Sequence, residues 1–193
     1  VYIEDSIDLS LEDLEVHYPG NSQPAIQANN DGMIWDGYLE ILGADIWMNS
    51  ASTPAIDLNV VDARIDGLTL MTSNHTGLNW LGSAVPSALS NSTLRGQDCL
   101  TLASVPLLES WNLNLHAECV GNVSIIDSEV NLTGSSSASG AVSIGPNTHL
   151  RLISTHPLQP SSIPSSSTVD HMQYVELWAV NQNGHGLPYA VVN

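Results

Sequence analysis

A short phrase returns along this chain and limits what it can fold into. It reads as an apolar residue, then Asp, Asn or Ser, usually a small residue, and an apolar residue again within three positions. It occurs at Ile3–Ile7, Ile34–Leu39, Ile65–Leu68, Leu89–Leu94, Leu108–Leu113 and Ile125–Val130. Its polar anchors are Asp5, Asp36, Asp66, Asn91, Ser110 and Asp127, spaced 31, 30, 25, 19 and 17 residues apart. A loose period of that size, carried by alternating strand-like pieces, is the signature of a solenoid whose repeats stack on their neighbours. A second marker agrees. Pro24-Ala25-Ile26 recurs as Pro54-Ala55-Ile56, 30 residues on, matching the spacing from Asp36 to Asp66.

Strand expectations follow from period-two alternation bounded by Gly, Asn, Ser and Thr turns. Residues 1–18 alternate apolar and acidic and read as half-buried strand, with a short helix over Leu9–Val16 as the alternative. Further strands are expected at Met33–Leu42, Asp45–Met48, Ile56–Val61, Leu68–Met71, Leu89–Leu94, Cys99–Leu102, Leu107–Leu115, Val123–Leu132, Val142–Ile144 and His149–Ser154. His75–Ser87 reads as an excursion in which Trp80 and Leu81 fold back. Three prolines among serines over residues 156–170 read as a linker. Val175–Val180 and Tyr189–Val192 read as fresh strands, with the chain starting and ending inside strand-like phrases as a piece of something longer.

The rungs resemble right-handed parallel β-helix repeats of the pectate-lyase-like type. In those repeats an Asx or Ser at a strand-to-strand bend stacks on its equivalents above and below. The resemblance covers residues 1–155. Arg64 departs from it, standing where other rungs have Ile or Leu. The tail, Val175-Glu176-Leu177-Trp178-Ala179-Val180 followed by Gly184, Gly186 and Pro188, is similar to the opening of immunoglobulin-like or carboxypeptidase-regulatory-like β-sandwich modules. The fold expected is therefore all-β: a right-handed parallel β-helix over 1–155, a Ser/Pro-rich linker over 156–170, and the opening strands of an incomplete β-sandwich over 171–193.

Charge removes some functions. The chain has no Lys, three Arg, 20 acidic residues and a net charge of −17. Such a field repels nucleic acid and anionic membrane. Charged residues are nevertheless only 12% of the chain, so Ser, Thr and Asn carry its polarity, which fits an extracellular surface. Asn74, Asn91, Asn122 and Asn131 each open an Asn-x-Ser/Thr sequon; Asn74, in the expected excursion, is the best acceptor. Cys99 and Cys119 lie 20 residues apart, close to the local period. A disulfide between neighbouring rungs, about 4.8 Å apart, is geometrically open to them, with two free thiols as the alternative.

Little here specifies catalysis. The Asp/Asn/Ser row has a structural explanation, since short polar side chains satisfy backbone groups at tight bends. Calcium binding by Asp36, Asp62 and Asp66 is the functional alternative; no other cofactor is implied, and no metal site is named. The acidic stretch Glu4–Glu15 reads as a solvated face. The resemblance implies polysaccharide lyases and hydrolases, for which Arg64 and Arg95 are the candidate bases in the rungs. The seven His form no short-spaced metal motif. Trp35, Trp47, Trp80, Trp111 and Trp178 are sugar-stacking platforms if exposed and core residues otherwise. The leading expectation is a structural or adhesive cell-surface protein, a rigid solenoid segment that self-associates or contacts neighbouring modules in a filament or surface layer. A β-helix polysaccharide lyase or hydrolase and a non-catalytic glycan-binding module are the alternatives.

Overall fold

A computed structural model describes residues 1–4, 8–18, 22–29, 38–49, 52–59, 61–72, 75–82, 87–104, 108–111, 122–133, 140–153 and 160–173. Every regular element among them is a β-strand. In chain order these are β1 (Tyr2–Glu4), β2 (Leu9–Glu12), β3 (Glu15–Tyr18), β4 (Ile26–Asn29), β5 (Leu39–Leu42), β6 (Asp45–Met48), β7 (Ile56–Asn59), β8 (Ala63–Asp66), β9 (Thr69–Thr72), β10 (Thr76–Leu81), β11 (Ser87–Ser90), β12 (Thr93–Arg95), β13 (Asp98–Ala103), β14 (Leu108–Trp111), β15 (Asn122–Ile126), β16 (Glu129–Thr133), β17 (Val142–Ile144), β18 (His149–Ile153) and β19 (Thr168–Met172).

These strands form three parallel sheets. Sheet A runs β1-β4-β7-β10-β13-β15-β17, sheet B runs β2-β5-β8-β11-β14-β16-β18-β19, and sheet C runs β3-β6-β9-β12. Up to β18, consecutive strands in the chain never pair with one another. The chain visits A, then B, then C, and returns to A beside its earlier strand. It does so four times; from Asp98 onward the described strands belong to A and B only. The arrangement is compatible with a β-helix or solenoid. Each visit to sheet A places the chain one strand further along. The step is 30 residues from Ile26 to Ile56, 22 from Ile56 to Leu78, and 19 from Val123 to Val142.

Period-two alternation makes the core. Ile26, Ile56, Leu78, Leu100, Val123 and Val142 share one register position, and Ile3, Ala28, Leu58, Trp80, Leu102, Ile125 and Ile144 share the next inward one. All are buried. Sheet B adds Leu39 with Ala63, and Ile41 with Ile65 and Leu89; sheet C adds Ile46, Leu70 and Leu94. Like side chains therefore stack on like along the whole length. The Pro-Ala-Ile marker holds to the residue: Ile26 pairs with Ile56, and Ala25 N donates to Ala55 O at 2.8 Å.

Several expectations change. The helix alternative over Leu9–Val16 gives way to β2 and β3. Residues 76–81 are no excursion but a rung strand, with Trp80 fully buried between Leu58 and Leu102. The expected strands Leu89–Leu94 and Val123–Leu132 each break at a corner, at Asn91 and Asp127. The parallel ladder does not stop at residue 155. Val142 bridges Pro160, and β19, inside the expected linker, pairs with β18 over five residues from His149↔Thr168 to Ile153↔Met172. The expected sandwich strands at 175–180 and 189–192 lie outside the described residues.

Corners explain how strands turn without losing backbone hydrogen bonds. Each B-to-C corner is two residues long: Asp13-Leu14, Gly43-Ala44, Gly67-Leu68 and Asn91-Ser92. The first residue of each takes a left-handed conformation, with φ of 48°, 63°, 69° and 46°. That region is costly for most L-residues and is tolerated by Gly, Asn and Asp. The A-to-B corner at Asp127-Ser128 repeats the device with φ 49°, and Asn147-Thr148 with φ 52°. The second residue points inward. Where it is polar, its hydroxyl is fully used. Ser92 Oγ donates to Ser90 O at 2.6 Å and accepts from Leu68 N of the rung beneath at 3.2 Å. Ser167 Oγ likewise donates to Gly145 O at 2.8 Å and accepts from Thr148 N at 3.0 Å. These buried hydroxyls stitch one rung to the next.

Candidate functional site

The anchors of the sequence phrase separate on the structure. Asp66 ends β8, and Asn91 occupies the corner one rung further on. Asp66 Oδ1 accepts from Ser90 Oγ and from Asn91 Nδ2, both at 2.8 Å. The register equivalent of Asn91 is Gly67, and that of Asp66 is Ser90. Asp127 stands at a different corner, between sheets A and B, where Asn147 Nδ2 donates to its Oδ1 at 2.9 Å. Ser110 is not at a bend; it shares a register position in sheet B with Leu89 and Leu132. Asp5 and Asp36 lie outside the described residues. The phrase thus marks two kinds of corner and one strand interior, because an apolar–polar–small–apolar string suits each.

The Asp66 pair has a measurable consequence. The hydrogen bond from Asn91 and then that from Ser90 hold the Asp66 carboxyl below the ordinary carboxylate range, against the opposing effect of burial. A depressed native pKa means that the unfolded chain binds the extra proton first as pH falls. The stabilisation is therefore complete above the unfolded value, about 3.9, and is lost as pH drops through the lower native value. Urea midpoints for the native chain and Asp66→Asn should differ at pH 6, and the gap should close as pH falls below about 4. A gap that stays constant would remove the ionised carboxylate from the explanation.

Outward residues sort by sheet. Among the described strands, those of sheet B carry more charged residues than those of sheet A or sheet C. Arg64 lies on its outer face in register with Glu40 and Ala88, not among the inward Ile and Leu positions, and Nη1 sits 3.7 Å from Glu40 Oε1. Beside it a shallow open cavity of about 170 Å³ is lined by Asp8, Leu9, Ser10, Tyr38 and Glu40. Asp8 Oδ1 accepts from Tyr38 N at 3.1 Å. Burial pushes the Tyr38 hydroxyl above its ordinary pKa, Arg64 opposes this, and Glu40 and Asp62 reinforce it. A protonated phenol beside carboxylates and a paired guanidinium offers hydrogen bonds to a small polar group. The arrangement does not offer an unpaired base.

At the other end of sheet B, His149 lies between two carboxylates. Its Nε2 is 2.9 Å from Asp170 Oδ2 and its Nδ1 3.8 Å from Glu129 Oε1, while Arg151 Nη2 is 3.4 Å from the same Glu129 oxygen. The four side chains span β16, β18 and β19 and tie the last described strand to the sheet. Reading the histidines one at a time missed this cluster. Its signal was the rung spacing from Glu129 to His149 and from Arg151 to Asp170. Among the described residues no three His, Cys, Asp or Glu side chains are grouped to hold a metal ion.

On sheet C the outer column is His17, Trp47, Met71 and Arg95. Trp47 is 41% exposed, with its ring 6.2 Å from that of His17 at a tilt of 49°. It is the exposed indole among the described residues; Trp80 is buried, its Nε1 donating to Val61 O at 2.9 Å. Trp35 and Trp178 lie outside the described residues, and Trp111 is placed by backbone register alone.

Cys99 is buried and disulfide-bonded; Cys119, the chain's other cysteine, lies outside the described residues. Among the sequons, Asn74 also lies outside them. Asn91 and Asn122 are exposed but committed to structure. Asn122 Nδ2 donates to Asp98 Oδ1 at 3.0 Å and its Oδ1 accepts from Ala141 N at 3.1 Å. Asn131 is placed by register between Glu109 and Arg151 on sheet B. No protein-family model matches this chain, and no curated protein or solved structure shows significant similarity to it.

Proposed function

We propose that this chain is a rigid extracellular structural segment, a right-handed parallel β-helix that serves a cell-surface filament, layer or adhesin. The observation that carries the reading is the unbroken stacking of inward columns from Ile3 to Ile144 through seven strands of sheet A. Seven strands at about 4.8 Å make a body about 29 Å long across sheet A alone. Stacked apolar columns and hydroxyl-bonded corners stiffen it along that axis. A solenoid of this kind holds its ends a fixed distance apart, which is what a spacer needs. The disulfide at Cys99 fits an oxidising compartment, with Cys119 as the partner we propose, and the chain's low lysine content and sequons fit the same surroundings. The engaged side chain of Asn122 makes Asn74 the preferred acceptor for glycan.

Electron microscopy of the mature protein from its native surface tests this directly. Ordered filaments or sheets are the expected result. Discrete dispersed particles, with no periodic assembly at any protein concentration, would overturn it.

A further inference from the structure

Sheet A differs from the other two in what it turns outward. Over β10, β13, β15 and β17 one outward column is Asn79, Thr101, Ser124 and Ser143, each paired in register with the next. Beside it runs a second, Leu81, Ala103 and Ile126. None of these seven side chains is charged, in a chain of net charge −17. The nearest carboxylate on that outward column, Asp57, is occupied by Asn79 Nδ2 at 2.8 Å. The hydroxyls of Thr101, Ser124 and Ser143 make no side-chain hydrogen bond among the described residues. A straight row of available hydroxyls, one per rung at about 4.8 Å, thus borders a low apolar ridge on which Leu81 is 36% exposed.

From this juxtaposition we infer that the outer face of sheet A, over β10 to β17, binds an uncharged polysaccharide chain lying across the strands. Two magnitudes choose this occupant. Four strands at about 4.8 Å and two outward columns about 7 Å apart give a strip of on the order of 200–300 Å². A stable protein partner, including a second copy of this chain, needs about 800 Å² on each side; a single extended sugar chain is narrow enough to be covered by the strip. Charge supplies the second choice. The acidic field of the molecule disfavours a polyanion, and hydroxyl and amide side chains exchange hydrogen bonds with sugar hydroxyls without a charged partner. The apolar ridge matches the C–H face that a pyranose ring presents at its edge. The inference does not depend on assembly into a filament or layer.

The test is co-sedimentation of the full chain with insoluble cellulose, chitin and β-1,3-glucan, using polygalacturonate gel as the anionic comparison. Retention by at least one neutral polymer is expected, with a drop of at least tenfold in bound fraction for Thr101→Glu/Ser124→Glu. Both positions face outward, so the strand pattern is kept; circular dichroism verifies folding. If the double variant does not fold, Ser143→Glu at the exposed end of the row takes its place. Trp47→Ala, on sheet C, should bind as the native chain does. No retention by any neutral polymer, retention only by polygalacturonate, retention unaffected by the sheet A substitutions, or retention lost with Trp47 would each overturn the assignment.

Discussion

Trp80→Ala is expected to lower the unfolding free energy by about 3–5 kcal/mol, the range for removing a large aromatic from a packed core. The indole is fully buried and sits in register between Leu58 and Leu102 in an inward column that runs through all seven strands of sheet A. Three losses combine in this substitution: the transferred apolar area, the cavity that rigid parallel strands above and below cannot close, and the bond from Nε1 to Val61 O. Val61 is itself buried, so its carbonyl loses a partner that water does not readily replace. Trp80→Phe separates these contributions. It keeps most of the stacking and loses the hydrogen bond, so it should cost about 1–3 kcal/mol. Urea unfolding followed by far-ultraviolet circular dichroism reads both. Because stability of a domain is typically about 5–15 kcal/mol in total, the alanine variant should also unfold at a visibly lower temperature. Near-native stability for Trp80→Ala would mean that the indole is not a core residue and that residues 76–81 leave the stack.

Gly77→Ala is the second large effect, about 1–3 kcal/mol as an overpacking change. A methyl group at Gly77 would lie 2.7 Å from Leu70 Cδ2 and 2.8 Å from Cys99 O. The leucine end can shift; the carbonyl cannot. Cys99 is the residue skipped where β13 changes register against β15, between Asp98↔Asn122 and Leu100↔Val123. Its neighbours Asp98 and Leu100 are held in register with both β10 and β15. Gly77 O also accepts, with Thr76 O, from Ala55 N, so a shift of β10 away from Cys99 disturbs the rung below. Gly67→Ala makes the informative comparison. There the nearest atoms are 3.5 Å away and the cost arises from φ +69°, about 1–2 kcal/mol. Crystal structures of the two variants should show a displaced β10 in the first and an undisturbed neighbourhood in the second. An unshifted β10 in Gly77→Ala, with unchanged thermal stability, would contradict the tight approach at Cys99.

Much of the stacking was legible in the residues, and the reasons are specific. Pro24-Ala25-Ile26 and Pro54-Ala55-Ile56 mark one register level because the same residues meet the same surroundings one rung apart. Asp45–Met48 and Val142–Ile144 were found at their observed limits because strict alternation with flanking turn residues leaves no other strand length. Corners were harder. At Leu89–Leu94 and Ile125–Val130 the chain places two residues outward in succession, Ser90-Asn91 and Ile126-Asp127, and then resumes inward. This slip of one position is invisible when the residue that resumes the inward column is Ser92 or Ser128, since a buried serine looks like any polar residue until its partners are known. The same disguise covered the last rung. Ser166-Ser167-Thr168 aligns with Asn147-Thr148-His149, yet it lies in a Pro/Ser run whose composition suggests a tether. The proposed binding face was overlooked for the opposite reason: Asn79, Thr101, Ser124 and Ser143 are unremarkable apart, and only the register brings them into one row.

The two-residue corner between sheets B and C bears on how such a chain can change over evolutionary time. In all four rungs that contain it, the strands on either side are joined by the same number of residues, locked by a left-handed backbone and an inward neighbour. The other connections differ widely: four residues separate β1 from β2, nine separate β4 from β5, and two separate β15 from β16. Insertions and deletions are therefore confined to particular longitudes of the rod. One edge keeps the same length from rung to rung, and the rest of the circumference is where rung length varies. A lineage could gain loops or exchange surface decoration there while its rungs stay in step, provided that this seam is inherited intact.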